Sequence, residues 1–338
     1  MRDPATPLVP LIEPVNEGIA RPLWSVMIPT YNSGQYLRNT LQSVMAQDRG
    51  PERMEIEVVD NCSTDDDPES LVKEVCGSRV GFYRQLKNEG AVANFNACIQ
   101  RSRGHLIHVL HSDDYLLPGF YAEIERLSAL YGRVALLATR CFYVEENDVI
   151  TGVTKRIPEL ESAGRSVEAL YYDTPIVFPG VVIRREFYEA RGGYMPLLVQ
   201  NCDREMWARA VSSGGGVLST NILACYRQST SNMSAAMTRS GENVRDLLRV
   251  AEVFFNRYPG FSRARARQTA AHTALKQARW FSALNDDLSA QNNWQLWIEN
   301  CSWVDRVKVG VTPLARRILL GSYAVRGLFN DQSALGRR

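Results

Sequence analysis

The sequence predicts an α/β protein built on a mixed, mostly parallel sheet with helices on both faces, followed by an α-helical C-terminal region. Short apolar runs alternate with segments of helical spacing from Trp24 to His111, the apolar runs end in polar clusters, and from Gly241 onward only the helical spacing continues. Such alternation implies a parallel sheet, because parallel neighbours need crossover connections that cover its faces.

Taken in order, Trp24-Ser-Val-Met-Ile-Pro-Thr-Tyr-Asn32 reads as a buried strand closed by Pro29 and a polar turn. Ser33 offers an N-cap to a helix whose apolar positions Leu37, Leu41, Val44 and Met45 share a face, and Gly50-Pro51 ends it. Ile56–Asp60 is the second strand. Asp67-Pro68 opens a helix that Gly77 closes, and Val80–Leu86 is the third strand. Val92, Phe95, Cys98 and Ile99 define a helix over Ala91–Ser102, and His105–His111 is the fourth strand. Pro118–Tyr131 reads as a helix stopped by Gly132, and Val134–Val144 with Val149–Thr154 as a hairpin around Glu145–Asp148. The division that follows is an extended, proline-rich arm over residues 1–22, an α/β domain over 23–238 and a helical region over 239–338.

Hydrophobic residues at 45% and charged residues at 22% describe a globular chain, and 338 residues allow a sizeable core. No window supplies the ~18–20 consecutive apolar residues of a membrane-spanning helix, and the N-terminus lacks the basic-then-apolar order of a signal peptide. Seven scattered cysteines without a C-x-x-C pair fit neither a disulfide framework nor a zinc site, and predict a cytoplasmic location. The net charge of +2 conceals an asymmetry: from Arg239 onward there are 16 basic and 8 acidic residues, before it 23 and 29. The C-terminal region is therefore expected to face something anionic. Within it, Trp303–Phe329 interleaves apolar residues with Arg306, Lys308, Arg316, Arg317 and Arg326. That stretch either lies on the inner face of the plasma membrane as a peripheral contact or packs on the preceding helices, with Pro313 interrupting it.

Ligands of parallel sheets sit at the carboxyl ends of the strands. Three strand ends here carry acceptors: Thr30, Tyr31 and Asn32; Asp60 and Asn61; Asp113 and Asp114. Adjacent carboxylates at a strand end repel one another and lose hydration, so a cation or several donors must compensate. Mg²⁺ or Mn²⁺ would combine the pair with waters and substrate phosphates; the alternative is a pair that caps the helix near Pro118. Asp60 either accepts from a base imide or ribose hydroxyl or serves as a turn residue within Asp-Asn-Cys-Ser-Thr-Asp65. Asp203 starts an amphipathic helix, where an acid commonly caps; it is also the candidate carboxylate to take a proton from an acceptor hydroxyl opposite a diphosphate leaving group. His105, His108 and His111 lie in or at the end of one strand and are expected to fill the core or line the crevice.

Six ordered motifs point to one family. They are Pro29-Thr-Tyr-Asn32, Val58-Val-Asp-Asn-Cys-Ser-Thr-Asp65, Asn88-Glu-Gly90 with Asn94, Leu110-His-Ser-Asp-Asp-Tyr-Leu-Leu-Pro-Gly119, Asp203-Arg-Glu-Met-Trp-Ala-Arg209, and Tyr226-Arg227 with Ser231 and Ser234. Over about Ser25 to Ser234 the chain resembles the family 2 inverting glycosyltransferases with the GT-A fold. The resemblance implies that Pro29, Thr30, Tyr31, Asn32, Asp60, Asn88, Gly90, Asn94, Asp113 and Arg227 bind a nucleotide-diphosphate sugar, that Asp114 and Asp113 hold a divalent cation, Mg or Mn, and that Asp203 is the catalytic base. It also implies a glycan or lipid-linked acceptor in bacterial polysaccharide or glycolipid assembly, and no nucleic-acid partner. Three positions depart from the family pattern: Asn61 and His111 stand where Asp is usual, and Cys202 where Glu is usual. They leave open a weak or inactive member that binds a nucleotide-sugar without turning it over. A dehydrogenase would require G-x-G-x-x-G after the first strand, a nucleotidyltransferase a Gly-rich basic first loop, and a serine hydrolase a G-x-S-x-G elbow; none is present.

Overall fold

The structure, a computed structural model, describes residues 9–157, 160, 167–172, 176–230, 232–303 and 305–306. It divides into two compact units, one ending at Ser229 and the other beginning at Thr230. The division falls before Arg239 because helix α8 (Met233–Ser240) packs against α9 (Glu242–Arg257) and α11 (Asp287–Asn300). Asn293 Nδ2 on α11 donates to Thr238 O at 2.9 Å. With α10 (Arg263–Ala283) these helices make up the described part of the second unit.

The first unit is built on one sheet. Strands β1 (Trp24–Thr30), β2 (Met54–Asp60), β3 (Gly81–Arg84) and β4 (Leu106–Val109) run parallel in the order β3-β2-β1-β4. Every residue of β1 is buried, as a central strand covered on both faces requires. The sheet continues through β8 (Val181–Arg184), β6 (Leu136–Val144), β9 (Gly216–Arg227) and β5 (Tyr115–Leu116), with β7 (Ile150–Val153) beside β6. Here β8 is antiparallel to both neighbours, β9 is parallel to β6, and β5 is antiparallel to β9. The expected hairpin is β6 and β7.

Helices α1 (Gly34–Met45), α2 (Pro68–Cys76), α3 (Ala91–Arg101) and α4 (Phe120–Tyr131) fill the predicted crossovers. Asp67 caps α2 by accepting from Ser70 N at 3.2 Å. Ser33 stands at the N-cap of α1 but does not cap it; Asp66 Oδ2 accepts from Gly34 N at 2.6 Å instead, and a Cβ at Gly34 would sit 2.8 Å from that oxygen. Later come α5 (Glu168–Tyr172), a 3₁₀ turn at Phe178–Gly180, α6 (Arg185–Arg191) and α7 (Cys202–Gly214). Gly180 lets that turn press on β6: a Cβ there would lie 2.6 Å from Thr139 O and 2.7 Å from Cys141 Sγ.

The arm is not loose from Val9 onward. Gly193 N donates to Pro10 O at 2.9 Å, Arg185 Nη2 donates to Glu13 O at 3.0 Å, and Ile12 is buried. Most of the Trp303–Phe329 stretch lies outside the described residues, as does Ser231. Among the described residues no helix is long and apolar enough to cross a membrane.

Candidate active site

The parallel strands deliver their polar ends to one edge of the sheet, and those ends are laced together. Thr30 Oγ1 lies 3.0 Å from Ser33 Oγ, which in turn hydrogen-bonds Ser112 Oγ, so the β1 and β4 ends share a hydroxyl chain. Asn32, at a left-handed φ of 47°, accepts from Thr64 N at 2.8 Å through Oδ1 and donates to Asp65 Oδ2 at 2.9 Å through Nδ2. Asn is among the residues that tolerate this conformation. Its side chain therefore clamps the β1 loop to the β2 loop. Pro29 is buried in β1, and Tyr31, 43% exposed, stands on the outer side of the turn.

Asp60 is fully buried, and its carboxylate is already engaged. It accepts from Ser63 N at 3.1 Å and Ser63 Oγ at 2.6 Å, and from Arg84 Nε at 2.6 Å. This is the turn role foreseen for it, with a salt bridge that the sequence did not disclose; a base that approached Asp60 would share it with Arg84. Asn61 donates from Nδ2 to Asn88 Oδ1 at 2.8 Å and accepts Glu89 N on Oδ1 at 3.0 Å. The departure from Asp at this position has a physical reason, since a carboxylate could not donate to Asn88. Gly90, at φ 88°, heads α3, and its N–H is bound by Asn88 Oδ1 at 2.9 Å. Asn94 is buried, donating from Nδ2 to Val59 O at 2.9 Å and accepting from Gln85 Nε2 on Oδ1 at 2.8 Å. These amides shape the loop between β3 and α3.

At the β4 end, Asp113 and Asp114 do not cap α4, whose N-cap is Gly119 at φ 93° with no side-chain cap. Asp114 is 1% exposed; its Oδ1 accepts from Arg227 N at 2.9 Å, and its Oδ2 is buried without a partner. Burial, reinforced by the neighbouring Asp113 carboxylate, holds the Asp114 pKa well above the usual range; burial also raises that of Asp113. Thr40 Oγ1 reaches both Ser112 O and Asp114 O, at 2.8 and 2.7 Å, and so fixes the turn that carries the pair. His111 packs against Phe95 and Phe178, with ring centroids 4.8 and 4.2 Å away, and its Nε2 is buried without a partner. One ring nitrogen of His111 and one carboxylate oxygen each of Asp113 and Asp114 lie within 4.8 Å of one another. Burial depresses the His111 pKa to about 4, so the imidazole is neutral and able to ligate. His108, by contrast, is core: its Nε2 is 3.1 Å from Pro179 O.

Arg227, expected to bind the donor, is buried and spent on the protein. Its Nε donates to Asp113 O at 3.0 Å, Nη1 to Glu145 O and Glu146 O at 3.1 Å, and Nη2 pairs with Asp148 Oδ1 at 2.8 Å, while Tyr36 and Tyr115 flank the guanidinium. It fastens the carboxylate turn to the β6–β7 turn rather than presenting a free cation.

Asp203 is the second residue of α7, half-buried, with Oδ1 accepting Arg204 N at 2.7 Å; the N-cap is Asn201. One turn on, the Trp207 ring lies 5.2 Å from Phe178, the ring that touches His111, and its Nε1 is buried without a partner. An aromatic layer of Phe95, Phe178, Tyr194 and Trp207 therefore links the start of α7 to the β4 end. Below Asp203, Glu205 and Arg209 form a buried pair, with Arg209 also donating to the carbonyls of Arg191, Gly192 and Gly193. Thr40, Phe178 and Arg84 were not foreseen. A threonine between apolar neighbours on the buried face of α1 was the available signal for Thr40; four-residue β3 gave none for Arg84.

Residues 25–190 match the family model described as Glycosyl transferase family 2. An uncharacterized protein of Mycobacterium tuberculosis is 41% identical over 110 residues, 32% of this chain and 33% of the relative. The UDP-Glc:alpha-D-GlcNAc-diphosphoundecaprenol beta-1,3-glucosyltransferase WfaP of Escherichia coli is 24% identical over 213 residues, 60% of this chain and 76% of its own length. The crystal structure of TarS from S. aureus in complex with UDP-GlcNAc is similar in fold, with a TM-score of 0.57 at 17% identity over 82% of this chain and 81% of that one. The chain spans 33%, 59% and 40% of the length of the first three curated relatives it matches. The ordered motifs agree with the matched glycosyltransferase family 2 model, which covers residues 25–190, just under half of the chain, and the sheet is similar in fold to that of TarS.

Proposed function

We propose that this chain transfers a sugar, with inversion, from a nucleotide-diphosphate sugar to an acceptor hydroxyl on a glycan or lipid-linked acceptor at the cytoplasmic side of a bacterial membrane. The observation that carries this reading is the carboxylate pair at the β4 end, with one Asp114 oxygen buried and unpartnered. Such an oxygen costs about 1–3 kcal/mol or more unless a ligand completes it, and an anionic acceptor is completed by a cation.

Asp113 and Asp114 would hold Mg²⁺ or Mn²⁺, which would offset the charge of a departing nucleoside diphosphate. The chain's own residues do the remainder. Thr30, Asn32 and the Asn61–Asn88–Asn94 amides shape the edge where a nucleoside rests, and Arg227 holds the carboxylate turn in place through Asp113 O. Asp203 takes the acceptor proton as the acceptor oxygen bonds to the anomeric carbon and the bond from that carbon to the diphosphate oxygen breaks. Asp203 stands in the first turn of the helix, where the aligned N–H groups of α7 favour an acidic side chain.

The test is a panel of nucleotide-sugars with the purified chain and Mn²⁺, read as free nucleoside diphosphate. Release with one donor supports the reading; tight donor binding without release favours a binding module. For a peripheral membrane contact through the basic C-terminal region, the measurement is co-flotation with anionic liposomes, comparing the full chain with one truncated before Trp303.

A further inference from the structure

His111 stands at the cation site with a nitrogen rather than the oxygen that the family pattern supplies. Three observations bear on what it does there. A ring nitrogen falls within 4.8 Å of both aspartate oxygens. The ring is held nearly parallel to Phe95, at 15°, and tilted at 36° to Phe178, so it cannot swing away without disturbing the aromatic layer. Two polar atoms at this strand end, His111 Nε2 and Asp114 Oδ2, are buried without partners. Ligands each about 2.1–2.3 Å from one ion lie up to about 4.5 Å apart, so the group needs only a small adjustment to meet on one.

We propose that His111 is a direct nitrogen ligand that sets the metal preference of this site, turning it from Mg²⁺ toward Mn²⁺ and Co²⁺. This rests on the reading of Asp113 and Asp114 as cation ligands. An all-oxygen set with three carboxylates suits hard Mg²⁺, whereas imidazole suits the later divalent ions, whose affinity for nitrogen rises along the first row. Replacing one carboxylate by an uncharged ring also lowers the ligand charge, which penalises the ion that depends most on charge. Packing against Phe95 and Phe178 keeps the imidazole at this strand end, so an ion that disfavours nitrogen still meets it there.

The experiment uses the full chain, stripped of metal and without donor, and reads binding rather than turnover. Titrations with MgCl₂, MnCl₂ and CoCl₂ should give a preference for Mn²⁺ over Mg²⁺ of at least about tenfold, and His111→Asp should reduce that ratio by about tenfold or more. Pulsed electron paramagnetic resonance of Mn²⁺ bound to the unmodified chain should show coupling to a directly bound ¹⁴N; this requires no variant to fold. Absence of ¹⁴N coupling, or an unchanged Mg²⁺:Mn²⁺ ratio in folded His111→Asp, overturns the inference while leaving a cation site intact. If Asp114→Ala binds Mn²⁺ as well as the unmodified chain does, the cation reading itself fails and the inference falls with it.

Discussion

Asp114→Asn should stabilise the metal-free protein while destroying its function, a pairing of signs that few structural residues would produce. The side chain is buried, its Oδ2 has no partner, and its Oδ1 has only the Arg227 N–H, which an asparagine Oδ1 would keep. What the substitution removes is a charge confined beside Asp113. Two unit charges about 4 Å apart at an effective dielectric of about 20 repel by about 4 kcal/mol, an upper bound once relaxation and the flanking Arg227 are considered. A gain of about 1–3 kcal/mol is therefore expected at pH 7, or roughly 2–12 °C in Tm for a unit of this size. The raised Asp114 pKa fixes the sign with pH: stability is fully present below the unfolded-state value of about 3.9 and is lost as pH rises through the higher folded value. The advantage of Asp114→Asn should thus shrink toward zero as pH falls to about 4. Thermal unfolding with and without MnCl₂ is the assay. Ion at about 100 times its dissociation constant should stabilise the parent by about 2.7 kcal/mol and the variant not at all. A metal-free variant less stable than the parent at pH 7 would refute the reasoning, because the carboxylate would then be satisfied by the protein itself.

Asp203→Asn should leave donor affinity nearly unchanged and lower turnover by about 10²–10⁴-fold; loss of donor binding in a titration would assign the residue to the donor instead. Arg209→Met strands the Glu205 carboxylate and three carbonyls, so calorimetry should show a loss of about 3–5 kcal/mol. Gly180→Ala should cost about 1–3 kcal/mol in denaturant unfolding, because the added carbon meets backbone at Thr139 rather than a flexible side chain. Arg227→Lys keeps the charge but cannot reach four acceptors in a fork, and should lower both Tm and Mn²⁺ affinity.

The first four strands and their helices were legible because each carries its own punctuation: Pro29 near the end of β1, Asp67-Pro68 at the start of α2, Gly132 after α4. From Val181 onward the signal fades. Strand β8 is four residues wedged between a 3₁₀ turn and α6, and β9 passes through Ser219-Thr-Asn221 with shifts in register against β6, so neither shows a period. Among site residues, position along the strand ends was readable, but partners were not. Nothing near Asp60 announces Arg84, and nothing near Arg227 announces that its guanidinium would be consumed by the carbonyls of Glu145 and Glu146. Those are pairings across 24 and about 80 residues, set by which strands neighbour each other.

The anchoring of Asp114 by Arg227 has a consequence for the birth of the protein. The two residues are 113 apart, and β5, next to Asp114, pairs among the described residues only with β9. A nascent chain that has emerged through residue 190 holds both aspartates and all four parallel strands, yet lacks the strand that seats them. Closing so long a loop is slow and unrewarded until its last contacts form. The carboxylate turn is therefore expected to be the last part of the first unit to become protected in pulse-labelled hydrogen exchange, well after β1–β4. Chains halted before Arg227 would expose two unseated aspartates and the open edge of β6 to whatever chaperone or partner is at hand.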